Sequence, residues 1–141
     1  MYLKLTNGTA SKYSLRQLRL DNPNVSFPKT IPDTLAASYD VYPYTRATEP
    51  SYDSLTQRVL EGSFTQDSDG NWTLGIVVEN KSQDEAESYV RNERDKRLNE
   101  TDYLALSDNT LTSAMTTYRQ SLRDVTDQSG FPFSVTWPTK P

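Results

Sequence analysis

The chain is 141 residues long, with 15 Lys+Arg against 19 Asp+Glu, a formal net charge of −4, and neither cysteine nor histidine. Those two absences exclude disulfides, thiol chemistry, His/Cys zinc sites, a Ser-His-Asp triad and a Cys-His dyad, and they remove the usual proton shuttle near neutral pH. No basic stripe with interleaved aromatics is present to hold phosphates, which argues against nucleic acid as a partner, and no apolar run approaches the roughly 18 residues of a membrane-spanning helix.

The hydrophobic fraction is 34% and the aromatic fraction 11%, with nine Tyr, so the core is expected to be small and rich in rings, in one domain or two small lobes. The opening stretch, MYLKLTNGTASKY, lacks a long apolar segment and does not read as a signal peptide, so the expected location is the cytosol of the producing cell. Within it, Met1 to Leu5 is a candidate strand. SLRQLRLDNPN predicts one or two helical turns with Ser14 as N-cap and Leu15, Leu18 and Leu20 facing inward, ended by Pro23. Pro32 sits at the start of a second short helix that runs to about Tyr39, with Thr30 or Asp33 near its cap. VYPYTRAT reads as an edge strand, because Pro43 has no N–H to offer a central ladder.

The strongest β signal lies in the middle. TQRVLEGSFTQ and NWTLGIVVEN flank DSDGN, a reversal sequence, and predict a β-hairpin over about residues 55–80, with Trp72, Leu74, Ile76 and Val78 on one face. Two helices follow. Ser82 and Glu85 have capping-box spacing, opening a helix to about Asn99 whose apolar stripe, Ala86, Val90, Arg94 and Leu98, is thin. Leu111, Met115, Tyr118, Leu122 and Val125 form a cleaner stripe on a second helix capped by Thr112, and Gly130 closes it with a left-handed residue available. The fold class is therefore α+β: a mixed N-terminal lobe, residues 1–80, then a two-helix hairpin and an extended Pro/aromatic tail, residues 81–141.

No constellation of residues specifies catalysis, a metal or a cofactor. DSDGN resembles the start of a calcium loop, yet Gly70 and Val78 stand at the wrong positions for one, and a hairpin turn explains the residues. The pairs Asp67/Asp69 and Asp84/Glu85 lie on a turn and a helix start, where acids are expected anyway. Arg119 and Arg123 have Asp102 and Asp124 as available partners, and these four are expected to form structural ion pairs pinning the helices together. In the tail, Phe131, Phe133, Val135 and Trp137 alternate with Pro132, Ser134, Thr136 and Pro138, giving one apolar face. Burying Phe133 and Trp137 alone would stabilise by several kcal/mol, at about 25 cal/mol per Å² over about 150–250 Å² each. Such a strip docks, either onto its own helical hairpin or onto another polypeptide.

Residues 91–141, RNERDKRLNETDYLALSDNTLTSAMTTYRQSLRDVTDQSGFPFSVTWPTKP, resemble the tail-assembly-chaperone domain of tailed bacteriophages. The family pattern falls on Arg94, Asp95, Leu98, Thr101 and Asp102, then on Tyr118, Arg119, Gln120, Leu122, Arg123 and Asp124, and finally on Phe131, Pro132, Val135, Trp137, Pro138 and Pro141. Tyr103 stands where the family often has Trp. YSLRQLRLDNPNVSFPKTIPDTLAASYDVYPY is similar, more loosely, to stretches of proteins associated with phage tail fibres. The resemblance implies a non-enzymatic protein that binds a tail fibre, expected to be trimeric, and assists its folding, assembly or attachment in the host cytoplasm. Two alternatives stand beside it: a permanent virion component of the fibre or baseplate, and a small carboxylate-dependent glycan hydrolase. The residues expected to contact the partner are Tyr118, Arg119, Leu122, Phe131, Phe133, Val135, Trp137 and Pro138.

Overall fold

The computed structural model describes residues 1–141 and is mixed α+β, with four α-helices and one five-stranded sheet. It divides into two compact units: Met1–Pro50 with Val59–Val77, and Ser51–Arg58 with Val78–Pro141.

In the first unit, β1 (Tyr2–Thr6) and β2 (Thr9–Tyr13) form an antiparallel hairpin, with Tyr2 opposite Tyr13 and Thr6 opposite Thr9. Its turn is Asn7-Gly8, both left-handed at φ 51° and 78°, the twist that a two-residue hairpin loop needs and that Asn-Gly adopts at little cost. The sequence reading took only the first of these strands. Helix α1 (Leu15–Asp21) opens at Ser14, whose hydroxyl accepts the Gln17 N–H at 3.0 Å. Leu18 is fully buried, but Leu20, expected inward, is 60% exposed, because a residue two positions on falls on the opposite side of a helix. Helix α2 (Asp33–Ala37) follows Pro32, whose φ of −66° suits a helix start and which makes no side-chain capping bond. Leu18, Ile31, Ala36 and Val41 form one buried cluster beneath these helices.

The strand order is β2-β1-β3-β5-β4, which places β3 (Val41–Arg46) at the centre and corrects its reading as an edge strand. Pro43 is tolerated there because the strand is paired in two halves. Val41, Tyr42 and Pro43 lie antiparallel to β1, whereas the parallel pairing with β5 (Trp72–Asn80) begins only at Tyr44, opposite Trp72. Tyr44 donates to the Met1 carbonyl, so alternate N–H groups, including the one Pro43 lacks, point toward β5, at a level where that ladder has not yet started. Strand β4 (Gln57–Gln66) flanks β5. Between them Asp67 accepts the N–H groups of Asp69 (3.0 Å) and Asn71 (2.8 Å), so this segment is a turn.

The sheet is curled. Lys12 on β2 reaches Glu61 on β4 at 2.6 Å although the two strands are the opposite ends of the strand order. Ala10 of β2 and Phe64 of β4 both pack against the cluster of Leu3, Tyr44 and Leu74. Strand alternation thus sends Tyr2 and Val41 to the helix-covered face and Leu3, Tyr42 and Tyr44 into the curl.

In the second unit, helix α3 (Gln83–Asn99) begins with a complete capping box. Ser82 Oγ accepts the Glu85 N–H at 3.3 Å, and Glu85 returns a carboxylate to the Ser82 N–H at 3.1 Å. Only Ala86 and Val90 of α3 are buried. A short 3-10 turn (Asp102–Ala105) leads to helix α4 (Ser113–Arg123), capped by Thr112 Oγ1 on the Met115 N–H. Met115, Tyr118 and Leu122 form the buried cluster, joined by Leu98, Leu104 and Trp137, and Val125 is fully buried just beyond the helix. Leu111, first of the predicted stripe, is exposed, since it precedes the cap.

Candidate functional site

The family-like residues of the C-terminal third converge on one feature, a helical pair tied together from within by Arg119 and strapped from outside by the chain end. Arg119 projects from α4 and is 8% exposed. Its Nη1 donates to the Leu98 carbonyl (2.9 Å) and to Thr101 Oγ1 (2.6 Å), and its Nη2 donates to Asp102 Oδ1 (2.7 Å). The C-terminal end of α3 has carbonyls with no helical partner, and a guanidinium there supplies both hydrogen bonds and favourable charge. Thr101 is itself buried and donates to the Leu98 carbonyl at 3.0 Å, so three oxygens meet one fork of donors.

Arg119 and Asp102 are thus paired, though through a single bond and not a bidentate one. Arg123 and Asp124 are not joined: both are exposed, no ion pair links them, and Asp124 accepts from Gln120 at 2.8 Å instead. Consecutive helical residues point about 100° apart and cannot face each other.

The tail covers its own helices. Trp137 packs against Met115, Tyr118 and Leu122, and the Arg97 guanidinium lies 4.2 Å over its ring. Arg91 lies 5.2 Å over Phe131 in the same way. Each such contact contributes about 0.5–1 kcal/mol when exposed, and more when dry. Gln128 clamps the backbone between these rings, donating to the Thr136 carbonyl (2.9 Å) and accepting the Thr136 N–H (2.8 Å). Sequence alone assigns Arg91 and Arg97 no such role. Their role was missed because nothing local to α3 signals an aromatic strap from 40 residues away.

The tail is not extended from Gly130 onward. Residues 129–133 form turns, and Ser134 donates to the Gly130 carbonyl at 2.7 Å. Gly130 is not left-handed; it is glycine because a Cβ would collide with the Ser134 carbonyl oxygen. The turn breaks the expected alternation, sending Pro132 fully inside and leaving Phe133 39% exposed. Among the residues assigned to partner contact, Tyr118, Arg119 and Leu122 are therefore interior, Phe131, Val135, Trp137 and Pro138 are half-buried, and Phe133 faces outward. Tyr103, Leu106 and Leu111, between the helices, are exposed as well.

Residues 87–141 match the family model described as phage tail assembly chaperone protein. The matched stretch takes in most of α3, all of α4 and the strap, and includes the three motif blocks in 91–141; the looser similarity over residues 13–44 lies outside it. No curated protein and no solved structure matches the chain.

Proposed function

We propose that this protein is a phage tail assembly chaperone that acts by binding the tail fibre, without chemistry of its own, in the host cytoplasm. The observation that carries this reading is the match of residues 87–141 to that family. The second unit supports it by its build: a preformed scaffold presents large apolar side chains, Tyr103, Leu106, Leu111 and Phe133, to solvent, and such groups mark contact surfaces. Because Trp137 is engaged on its own helices, the strap serves to shape that surface, and Phe133 is its outward contact. The partner is a trimeric fibre whose unfolded or unassembled chains expose complementary apolar surface.

The test is co-expression of the fibre with and without this protein, reading the yield of soluble, protease-resistant trimer. A clear gain in trimer with the protein present is expected, and equal yields in its absence would sink the reading. Mass spectrometry of purified virions separates transient from permanent association: its absence from particles is expected of a transient helper, whereas stoichiometric retention makes it a subunit of the fibre or baseplate.

A further inference from the structure

The sheet of the first unit ends in two open edges, β2 and β4, and its curl turns them toward each other. No ladder joins them. The seam is bridged by Lys12 Nζ on Glu61 Oε1 at 2.6 Å, a pair about half exposed at each partner. An exposed ion pair of this kind is worth little and yields readily to competing contacts. Hydrogen-bonded strands stand about 4.8 Å apart, so one missing strand leaves a gap of about 10 Å, which a Lys and a Glu meeting tip to tip span. The backbone on both walls is ready to pair. In β1 the Leu5 N–H donates to the Asp40 carbonyl, so its odd residues bond toward β3 and its even residues toward β2. Opposite the even residues stand Ser11 and Tyr13, and therefore Ala10 and Lys12 turn their N–H and C=O groups into the seam. Just beyond β4, the Asp67 N–H bonds the Asn71 carbonyl on the β5 side, so Gln66 and Phe64 likewise aim theirs into the seam. The interior face of the seam is apolar, with Ala10, Leu5 and Phe64 packed on one cluster. Neither wall carries a proline, the simplest block to edge pairing.

We propose that this seam accepts one extended segment of a partner polypeptide, a sixth strand that pairs with β2 and β4 at once and displaces the Lys12–Glu61 latch. Two facing walls leave room for a single strand, so a second copy joined edge to edge does not fit. The segment is about five residues long, the length of β2. Its alternate side chains enter the curl beside Ala10, Leu5 and Phe64 and are apolar, while those between them are polar and face solvent. No proline falls where the segment must offer an N–H. The inference rests on the fibre-binding reading and deepens it: the segment belongs to a fibre chain that has not yet joined its trimer, and the finished trimer buries it.

Hydrogen–deuterium exchange of the protein alone and in its co-expressed complex with the fibre tests this. The amides of Ala10, Lys12, Phe64 and Gln66 are expected to exchange freely in the lone protein and to slow by about tenfold or more in the complex. Ala10→Pro, which removes one seam-facing donor and no existing ladder bond, should weaken fibre capture about three- to tenfold. Lys12→Ala, which opens the latch, should leave capture as tight or tighter. Circular dichroism establishes that both variants are folded, and the exchange measurement on the unaltered chain decides the matter if either is not. A complex in which the four amides still exchange freely, or in which protection is confined to residues 103–111, overturns the seam and leaves the chaperone reading standing. Failure to form any complex with the fibre overturns both. Protection that rises with the protein's own concentration, without fibre, assigns the seam to a second copy and overturns the proposal, as does a Lys12→Ala loss equal to that of Ala10→Pro.

Discussion

Arg119 illustrates how one side chain couples two helices, because its donors fall on a helix-terminal carbonyl, a buried hydroxyl and a carboxylate at once. The carboxylate contributes least, since Asp102 is 57% exposed and an ion pair so placed is screened by solvent. Arg119→Ala is therefore expected to destabilise by about 2–3 kcal/mol, leaving the buried Thr101 hydroxyl oxygen without its donor, although the Leu98 carbonyl keeps the Thr101 N–H and hydroxyl, while Asp102→Asn costs less than about 1 kcal/mol. Urea unfolding of the two variants checks the order, and equal losses would refute it. Tyr13 supplies a pH signature. Desolvation, then the hydrogen bond its hydroxyl donates to Asp21, raises its pKa from 10.0 to about 12. The folded state favours the neutral phenol, so this contribution is complete below pH 10 and is lost as pH rises toward about 12. Tyr13→Phe should abolish that part of the alkaline loss of stability. At the acid end, hydrogen bonds hold Asp21, Asp67 and Glu85 below their ordinary values of 3.8, 3.8 and 4.5. Their contributions are present above those values and disappear as pH falls below about 4.

Among the elements, the strap has the most consequences for sequence changes. Trp137→Ala removes a ring from the Met115–Tyr118–Leu122 cluster and should cost about 2–4 kcal/mol, below the full range for a wholly buried ring. Phe133→Ala, at an outward position, should cost about 1 kcal/mol or less. Thermal melts of the single variants distinguish these, and a Phe133 effect as large as that of Trp137 would contradict the turn geometry. Gly130→Ala forces the 130–134 turn open against Ser134 and is expected to destabilise by about 1–3 kcal/mol although no left-handed residue is involved. The same logic accounts for β3, where a proline sits mid-sheet because the two ladders meet around it without overlapping.

For the molecule as a whole, chaperone activity and foldedness are predicted to separate. The exposed residues Tyr103, Leu106 and Leu111 support no core cluster, so changing all three to Ser should alter stability by about 1 kcal/mol or less while sharply reducing the yield of assembled fibre in co-expression. Unchanged yield from a folded triple variant would place the contact surface elsewhere. The formal charge of −4, with no basic stripe in the sequence, makes a strong salt dependence unexpected for the proposed association with a fibre.

Local rules determined much of this protein from its sequence. Ser14, Ser82 with Glu85, and Thr112 each cap a helix as their spacing requires, because a cap is settled by residues three apart. Asn7-Gly8 was equally legible as a hairpin turn and was overlooked. The motif blocks in 91–141 led to the family that residues 87–141 match. What only the tertiary structure decided are the pairings between distant segments: β3 beside β5, Lys12 with Glu61, Arg119 with Thr101, and Arg97 with Trp137. Each depends on how the chain returns in space, and neither periodicity nor propensity carries that information. The apolar tail shows the division most simply. Its composition requires burial, but which surface it covers is chosen by the shape of the helices it meets.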